Sequence, residues 1–160
     1  MKSRIYLCCM IAMMIIIFLF SAQKNDDSQV LSHSISDPVE SFIESKSKKT
    51  FETQDEQTEH FKKLKDQLNT AVRKNAHVFL YSLLGLFMFL FVHSLCGDDY
   101  RAAVYTLFFC MLYAASDELH QRFVEARNGH FQDVCIDLFG TAVMLMLIYV
   151  VKAVKRRSEK

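Results

Sequence analysis

Between residues 116 and 137 the chain reads SDELHQRFVEARNGHFQDVCID. The stretch holds Asp117, Glu118, His120, Gln121, Arg122, Glu125, Arg127, His130, Asp133 and Asp137, a density of such groups that membrane segments rarely carry at their mouths. It lies between two strongly apolar runs. If the run before it continues as a helix, Asp117 stacks with His120 at i+3 and Gln121 at i+4, while Asp133 and Asp137 stack at i+4. Two acids on one face repel unless a cation stands between them, and Arg127, Arg73, Lys74 or His77 could supply it.

Three chemistries could use this set. A divalent metal wants carboxylate oxygens and imidazoles, which Glu118, His120, Asp133 and Asp137 offer, although no HExxH or equivalent spacing fixes a site. A general acid and base pair would use His120 or His77 with Glu118, polarised by Arg127, on a phosphate or ester group. A binding site without turnover would use Arg73, Lys74 and Arg127 to hold an anionic headgroup. Spacing alone does not choose among them. The chain has no GxSxG elbow, P-loop or dinucleotide fingerprint, which removes the commonest soluble enzyme classes.

The same residues also have plainer readings. Glu118 and Arg122 stand in the favourable i, i+4 order for an ion pair on a helix surface. Arg73 and Lys74 could snorkel at a helix end. His93, without charged neighbours in sequence, reads as a packed or hydrogen-bonded histidine, and His130 beside Gly129 as a loop residue. Asp137 resists such a reading, because it falls about one turn inside an apolar run, where an acid is costly and usually functional.

The elements that must position these groups follow from where the apolar residues fall. Of 160 residues 51% are hydrophobic, and they come in blocks rather than with a surface-and-core period, which points to lipid. The net charge of +1 gives no reason to expect a nucleic-acid partner. Residues 5 to 22 form the first block behind Lys2 and Arg4. Phe20 is bulky where a signal peptidase wants small residues, so the expectation is an uncleaved signal anchor over residues 1–22. Residues 23–72 are rich in Ser, Asp, Gln, Lys and Glu and form a solvated extracytoplasmic segment. Asp37 and Pro38 there suit a helix start, and Phe61, Leu64, Leu68 and Val72 suit an amphipathic helix. Residues 73–160 form a three-helix membrane domain with apolar blocks at about 76–96, 102–115 and 134–151, ending in the short basic tail KAVKRRSEK.

The expected fold is therefore all-α, with four transmembrane helices and an extended polar outer loop between the first two. Lys2 and Arg4, Arg101, and the run Lys152, Lys155, Arg156, Arg157 and Lys160 share one side of a four-span protein, which the positive-inside rule makes cytoplasmic. Both termini are then cytoplasmic, and the 116–133 stretch faces outward. Arg73, Lys74, His77 and Tyr81 of the second helix, Ser116 to Gln121 of the third, and Asp133 and Asp137 of the fourth converge at that outer face. Cys8, Cys9, Cys96, Cys110 and Cys135 all fall in or beside apolar blocks and read as packing residues rather than a disulfide framework. Four short helices are few for burying a polar site, which leaves a homo-oligomer open, though no GxxxG face announces one.

The order FSAQ, then KNAHVFLYSLLG, then SDELHQRFVEARNGHFQDVCIDLFG is similar to the VanZ-like family of small bacterial membrane proteins. The residues that carry the resemblance are Lys74, His77 and Tyr81, then Ser116, Asp117, Glu118, His120 and Gln121, then Arg127, Asp133, Asp137 and Gly140. Two departures stand out: Glu125 and Ala126 replace the Pro-Gly often found before the arginine, and the polar segment after the first helix is longer than usual. The resemblance implies a multi-pass protein of the bacterial plasma membrane that acts on the cell envelope, in a family whose founding member is associated with teicoplanin resistance. On this basis Glu118, His120, Arg127, Asp133 and Asp137 form the expected centre, with Lys74, His77, Asp117 and Gln121 around it. The expected partner is a membrane lipid or a lipid-linked envelope component, held or, in the competing reading, hydrolysed or transferred.

Overall fold

The structure, a computed structural model, describes residues 2–22, 54–123 and 131–159. Their secondary structure is helical: α1 (Lys2–Ala22), α2 (Gln54–Cys96), α3 (Asp99–Gln121) and α4 (Phe131–Ser158). Two compact units divide the chain, Met1–Ala22 with Ala76–Lys160, and Gln23–Asn75. In the second unit the described residues are the start of α2, where Asn75 Nδ2 donates to the Ala71 carbonyl at 2.9 Å. The first unit carries the bundle.

Lipid explains why the bundle is helical. Where no water can solvate the backbone, each N–H and C=O must be paired within its own segment. All four helices are long and apolar enough to cross a membrane, α2 over Thr70–Cys96. Large apolar side chains such as Ile15, Phe109, Phe139, Met146 and Val150 stand exposed around the bundle. A water-facing protein rarely presents so much contiguous apolar surface; a lipid-facing one must.

The helices reach beyond the apolar blocks that announced them. The third block, expected at about 102–115, is a helix from Asp99 to Gln121, and the fourth, expected at about 134–151, runs from Phe131 to Ser158. Apolar runs mark the thickness of hydrocarbon, whereas helices stop where a cap stops them. The amphipathic stretch expected near 61–72 is not a separate element but part of the 43-residue α2, because Pro and Gly are absent from 54–84 and helix formers fill it. The expected helix start at Asp37 and Pro38 lies outside the described residues, as do Glu125, Arg127 and His130.

α2 and α3 are joined by two residues with clear roles. Gly97 adopts φ 69°, and its N–H returns to the His93 carbonyl at 2.9 Å, closing α2 with a left-handed cap. Asp98 then caps α3 by accepting from the Arg101 N–H at 2.7 Å. α2 and α4 touch through small residues. Ser82 Oγ lies within hydrogen-bond reach of the Val78 carbonyl at 2.7 Å and the Gly140 carbonyl at 2.9 Å, and Thr141 Oγ1 donates to the Tyr81 carbonyl at 3.3 Å. A Cβ on Gly140 would sit 2.4 Å from the Val78 oxygen, so only glycine allows this approach.

The two ends of the bundle differ in chemistry. At one end Asp99 is paired with Lys152, with His93 Nε2 at 3.0 Å and Arg156 Nη2 at 3.7 Å, and its carbonyl accepts from the Tyr149 hydroxyl at 2.9 Å. His93 thus faces Asp99 at the start of α3. Lys152 also lies 5.0 Å from the centre of the Phe89 ring. The other end carries the polar site.

Candidate functional site

Three helices each bring one ligand-type side chain to the same place, a half-buried histidine and two buried aspartates. His77 comes from α2, Asp117 from the last turns of α3 and Asp137 from the second turn of α4, and their ligand atoms all lie within 4.8 Å of one another. His77 Nδ1 stands 3.6 Å from Asp137 Oδ1. Asp117 is 3% exposed and Asp137 4%. Carboxylates this deep in a lipid-facing bundle are costly to hold, and they persist where they bind something or are paired.

The supports of Asp117 come from two helices. Ser21, fully buried in the last turn of α1, donates its hydroxyl to Asp117 Oδ2 at 2.7 Å. Gln121, one turn along α3, donates Nε2 to the same oxygen at 3.0 Å and to Ser21 Oγ at 3.3 Å. The second oxygen, Oδ1, is buried with no hydrogen-bond partner among the described residues. Tyr81 is in the same condition: fully buried, its ring 6.3 Å from His77 and 6.1 Å from Tyr113, with a hydroxyl unpartnered among the described residues. Tyr113 in turn donates its hydroxyl to the Met14 carbonyl at 2.6 Å, a second tie from α3 to α1.

The structure thus draws together His77, Asp117, Gln121 and Asp137 of the expected site residues. His120 turns toward α1, its ring stacked on Phe18 at 4.7 Å, with Nε2 buried and unpartnered among the described residues. Glu118 is 5% exposed while Arg122 is exposed, so the glutamate does not lie on the helix surface as a surface ion pair requires. Asp133 is half-buried in the first turn of α4. Lys74 belongs to the other unit, and Arg127 lies outside the described residues. The set of metal-type ligands that converges shares only Asp137 with Glu118, His120, Asp133 and Asp137.

Ser21, Phe18 and Tyr113 are the residues that sequence reasoning did not place in the site. The signal for Ser21 was its position, a polar residue in the last turn of an otherwise apolar helix, within the FSAQ that carries the family resemblance.

Beside the site an apolar cavity of about 780 Å³ opens between α1, α2 and α3. It begins at Cys96, at the end of the bundle that holds Asp99. It passes Met10, Met14, Met88 and Phe109, and ends at Tyr113 and Ser116, next to Asp117. Along α3 it extends from Tyr105 to Ser116, roughly 16 Å at the helical rise, or about half the hydrocarbon thickness of a bilayer.

The model of the VanZ/LLP1 family matches residues 6–152. The chain belongs to the VanZ/LLP1 family. The match takes in all four helices, so the VanZ region here includes Ser21 of α1, the site residues of α2, α3 and α4, and Lys152 at the far end. No curated protein and no solved structure matches the chain.

Proposed function

We propose that this VanZ-like membrane protein presents the His77, Asp117 and Asp137 cluster to the outer leaflet of a bacterial plasma membrane. There it holds the polar headgroup of a membrane lipid or a lipid-linked envelope component. The observation that carries the reading is the adjacency of two unlike surfaces. A buried polar cluster lies at the end of an apolar cavity whose length suits one leaflet of acyl chain. Met10, Met14 and Met88 make that wall soft enough to accept chains of varied shape. The basic residues of the opposite end favour the cytoplasm for that end and the outer face for the site. Binding of an envelope lipid fits the teicoplanin resistance associated with the family, since that antibiotic acts at the same surface.

The test is lipid analysis of the purified chain. A single lipid class should co-purify with the wild type, and Met14→Trp, which fills the cavity, should reduce it at least fivefold while the protein stays folded. Equal lipid content and composition in the two proteins would remove the reading.

A membrane-embedded enzyme that hydrolyses or transfers a group on a lipid-linked precursor is the second reading. His120 favours it, because a buried imidazole nitrogen without a partner among the described residues is free to move a proton. Glu118→Gln keeps shape and removes charge. On this reading it abolishes the envelope phenotype while the protein still inserts, and an unchanged phenotype would count against catalysis.

A further inference from the structure

The supports of Asp117 and Asp137 leave a charge unbalanced. Among the described residues Asp117 is held by Ser21 and Gln121, both neutral, and Asp137 faces His77 with the Asp117 carboxylate close by. If His77 were protonated, one positive charge would face two buried carboxylates, leaving a net negative charge in a low-dielectric site. A neutral His77 with a divalent cation balances both carboxylates and uses the imidazole as a ligand.

The geometry agrees with the charge. Nitrogen and oxygen ligands at about 2.0–2.2 Å from a common metal lie roughly 3.0–3.6 Å from one another. His77 Nδ1 and Asp137 Oδ1 stand at 3.6 Å, and the widest pair of the three, within 4.8 Å, closes that gap with a small side-chain rotation. Asp117 is nine-tenths buried and keeps Oδ1 without a partner, so it has an oxygen to give while Oδ2 stays with Ser21 and Gln121. Those two hydrogen bonds orient the carboxylate as second partners orient metal ligands elsewhere. Three ligands from three helices are what a rigid bundle needs to hold an ion in place.

We propose that His77, Asp117 and Asp137 form a divalent-cation site. One imidazole and two carboxylates suit Zn²⁺ or Mn²⁺; Ca²⁺, which takes six to eight oxygens, is poorly served. Three protein ligands leave at least one coordination position open. On the lipid reading above, on which this part rests, a phosphate oxygen of the headgroup takes that position and the cation is what draws an anionic lipid to a site of acids.

The experiment is a titration of the full chain in neutral detergent with Mn²⁺, followed by the paramagnetic resonance signal of the free ion, with Zn²⁺ as competitor. One Mn²⁺ per chain should bind and be displaced by Zn²⁺. His77→Gln, Asp117→Asn and Asp137→Asn should each weaken binding at least tenfold, while Glu159→Gln, which removes an exposed acid at the C-terminal end of α4, should leave it unchanged. Circular dichroism and a monodisperse elution profile establish that each variant is folded; should one fail, the other two carry the test. A folded wild type that leaves the Mn²⁺ signal at its protein-free amplitude and takes up no Zn²⁺ overturns the proposal, as does binding that survives in all the folded variants. Because the titration contains no added lipid, its failure is separate from that of the lipid reading, which stands or falls on co-purification.

Discussion

Asp117 joins α1 to α3 through a hydrogen bond between residues 96 positions apart, Ser21 Oγ to Oδ2 at 2.7 Å. Its acceptor is a carboxyl oxygen, a group able to carry a full charge. Interhelical hydrogen bonds in membranes average only about 0.6 kcal/mol, because the unfolded segment also finds partners in lipid. Hydrogen bonds to charged groups contribute about 1.5–3 kcal/mol. Ser21→Ala is therefore expected to cost about 1–2 kcal/mol in the wild-type background and less than about 0.7 kcal/mol when Asp117→Asn has already removed the charge. Denaturant unfolding of the four proteins of this cycle in detergent measures the difference, and equal costs in the two backgrounds would show that the charge contributes nothing. The acids of the site were legible in the sequence because an ionisable residue beside or inside an apolar run stands out against its surroundings. Ser21 was not, since a serine is neutral enough to pass as filler in an apolar helix. Nor could SDELHQ tell which of its neighbours turns inward: Asp117 and Glu118, 100° apart on the helix, are both buried, so α3 is covered over a wide arc at this end.

At the scale of the helices, the crossing of α2 and α4 sets the distance between His77 and Asp137, because Gly140 lies three residues after Asp137 and one residue before Thr141, which also meets α2. A methyl group on Gly140 would meet the Val78 carbonyl, backbone that cannot move without shifting the helix. On Gly85 it would meet Thr141 Cγ2 at 3.0 Å and Thr141 Cα at 3.3 Å, a looser approach than the 2.4 Å at Gly140. Gly140→Ala is expected to destabilise by about 2–3 kcal/mol, at the upper end of overpacking costs, and Gly85→Ala by about 1 kcal/mol or less. Thermal unfolding in detergent separates them, and a larger loss for Gly85→Ala would mean that Gly140 does not set the approach. Gly140→Ala should also loosen His77 from Asp137, so it should weaken Mn²⁺ binding without touching a ligand. The number of helices was legible from blocks of apolar residues, because lipid demands length and apolarity together. Their ends were not, since α3 begins at a cap formed by Asp98 and continues through the polar residues 116–121, where a hydropathy pattern has already stopped.

At the scale of the whole chain, the alternation of the helices is written into two clusters. Ser21, His77, Asp117 and Asp137 meet at one end, and His93, Asp99, Lys152 and Arg156 at the other. α2, α3 and α4 each thus run from one cluster to the other, and α1 ends at the first. Lys152, Lys155, Arg156 and Arg157 at the end of α4, with Lys2 and Arg4 at the start of α1 and Arg101 near the start of α3, all belong to the end away from the site. Basic residues resist transfer across the membrane against its potential, so that end should remain in the cytoplasm. Arg122 and Arg127 oppose this, as do Arg73 and Lys74 at the start of the α2 span, although the long segment that precedes α2 weighs little in the rule. The orientation decides whether the site can meet an envelope lipid at all. Cysteine labelling of intact cells tests it, with Arg127→Cys and Lys155→Cys introduced separately into a chain whose Cys8, Cys9, Cys96, Cys110 and Cys135 have been replaced. A membrane-impermeant maleimide should modify position 127 and spare position 155 until the cells are opened. The reverse pattern would put the His77, Asp117 and Asp137 cluster in the cytoplasm, and the outer-leaflet headgroup would no longer be within its reach.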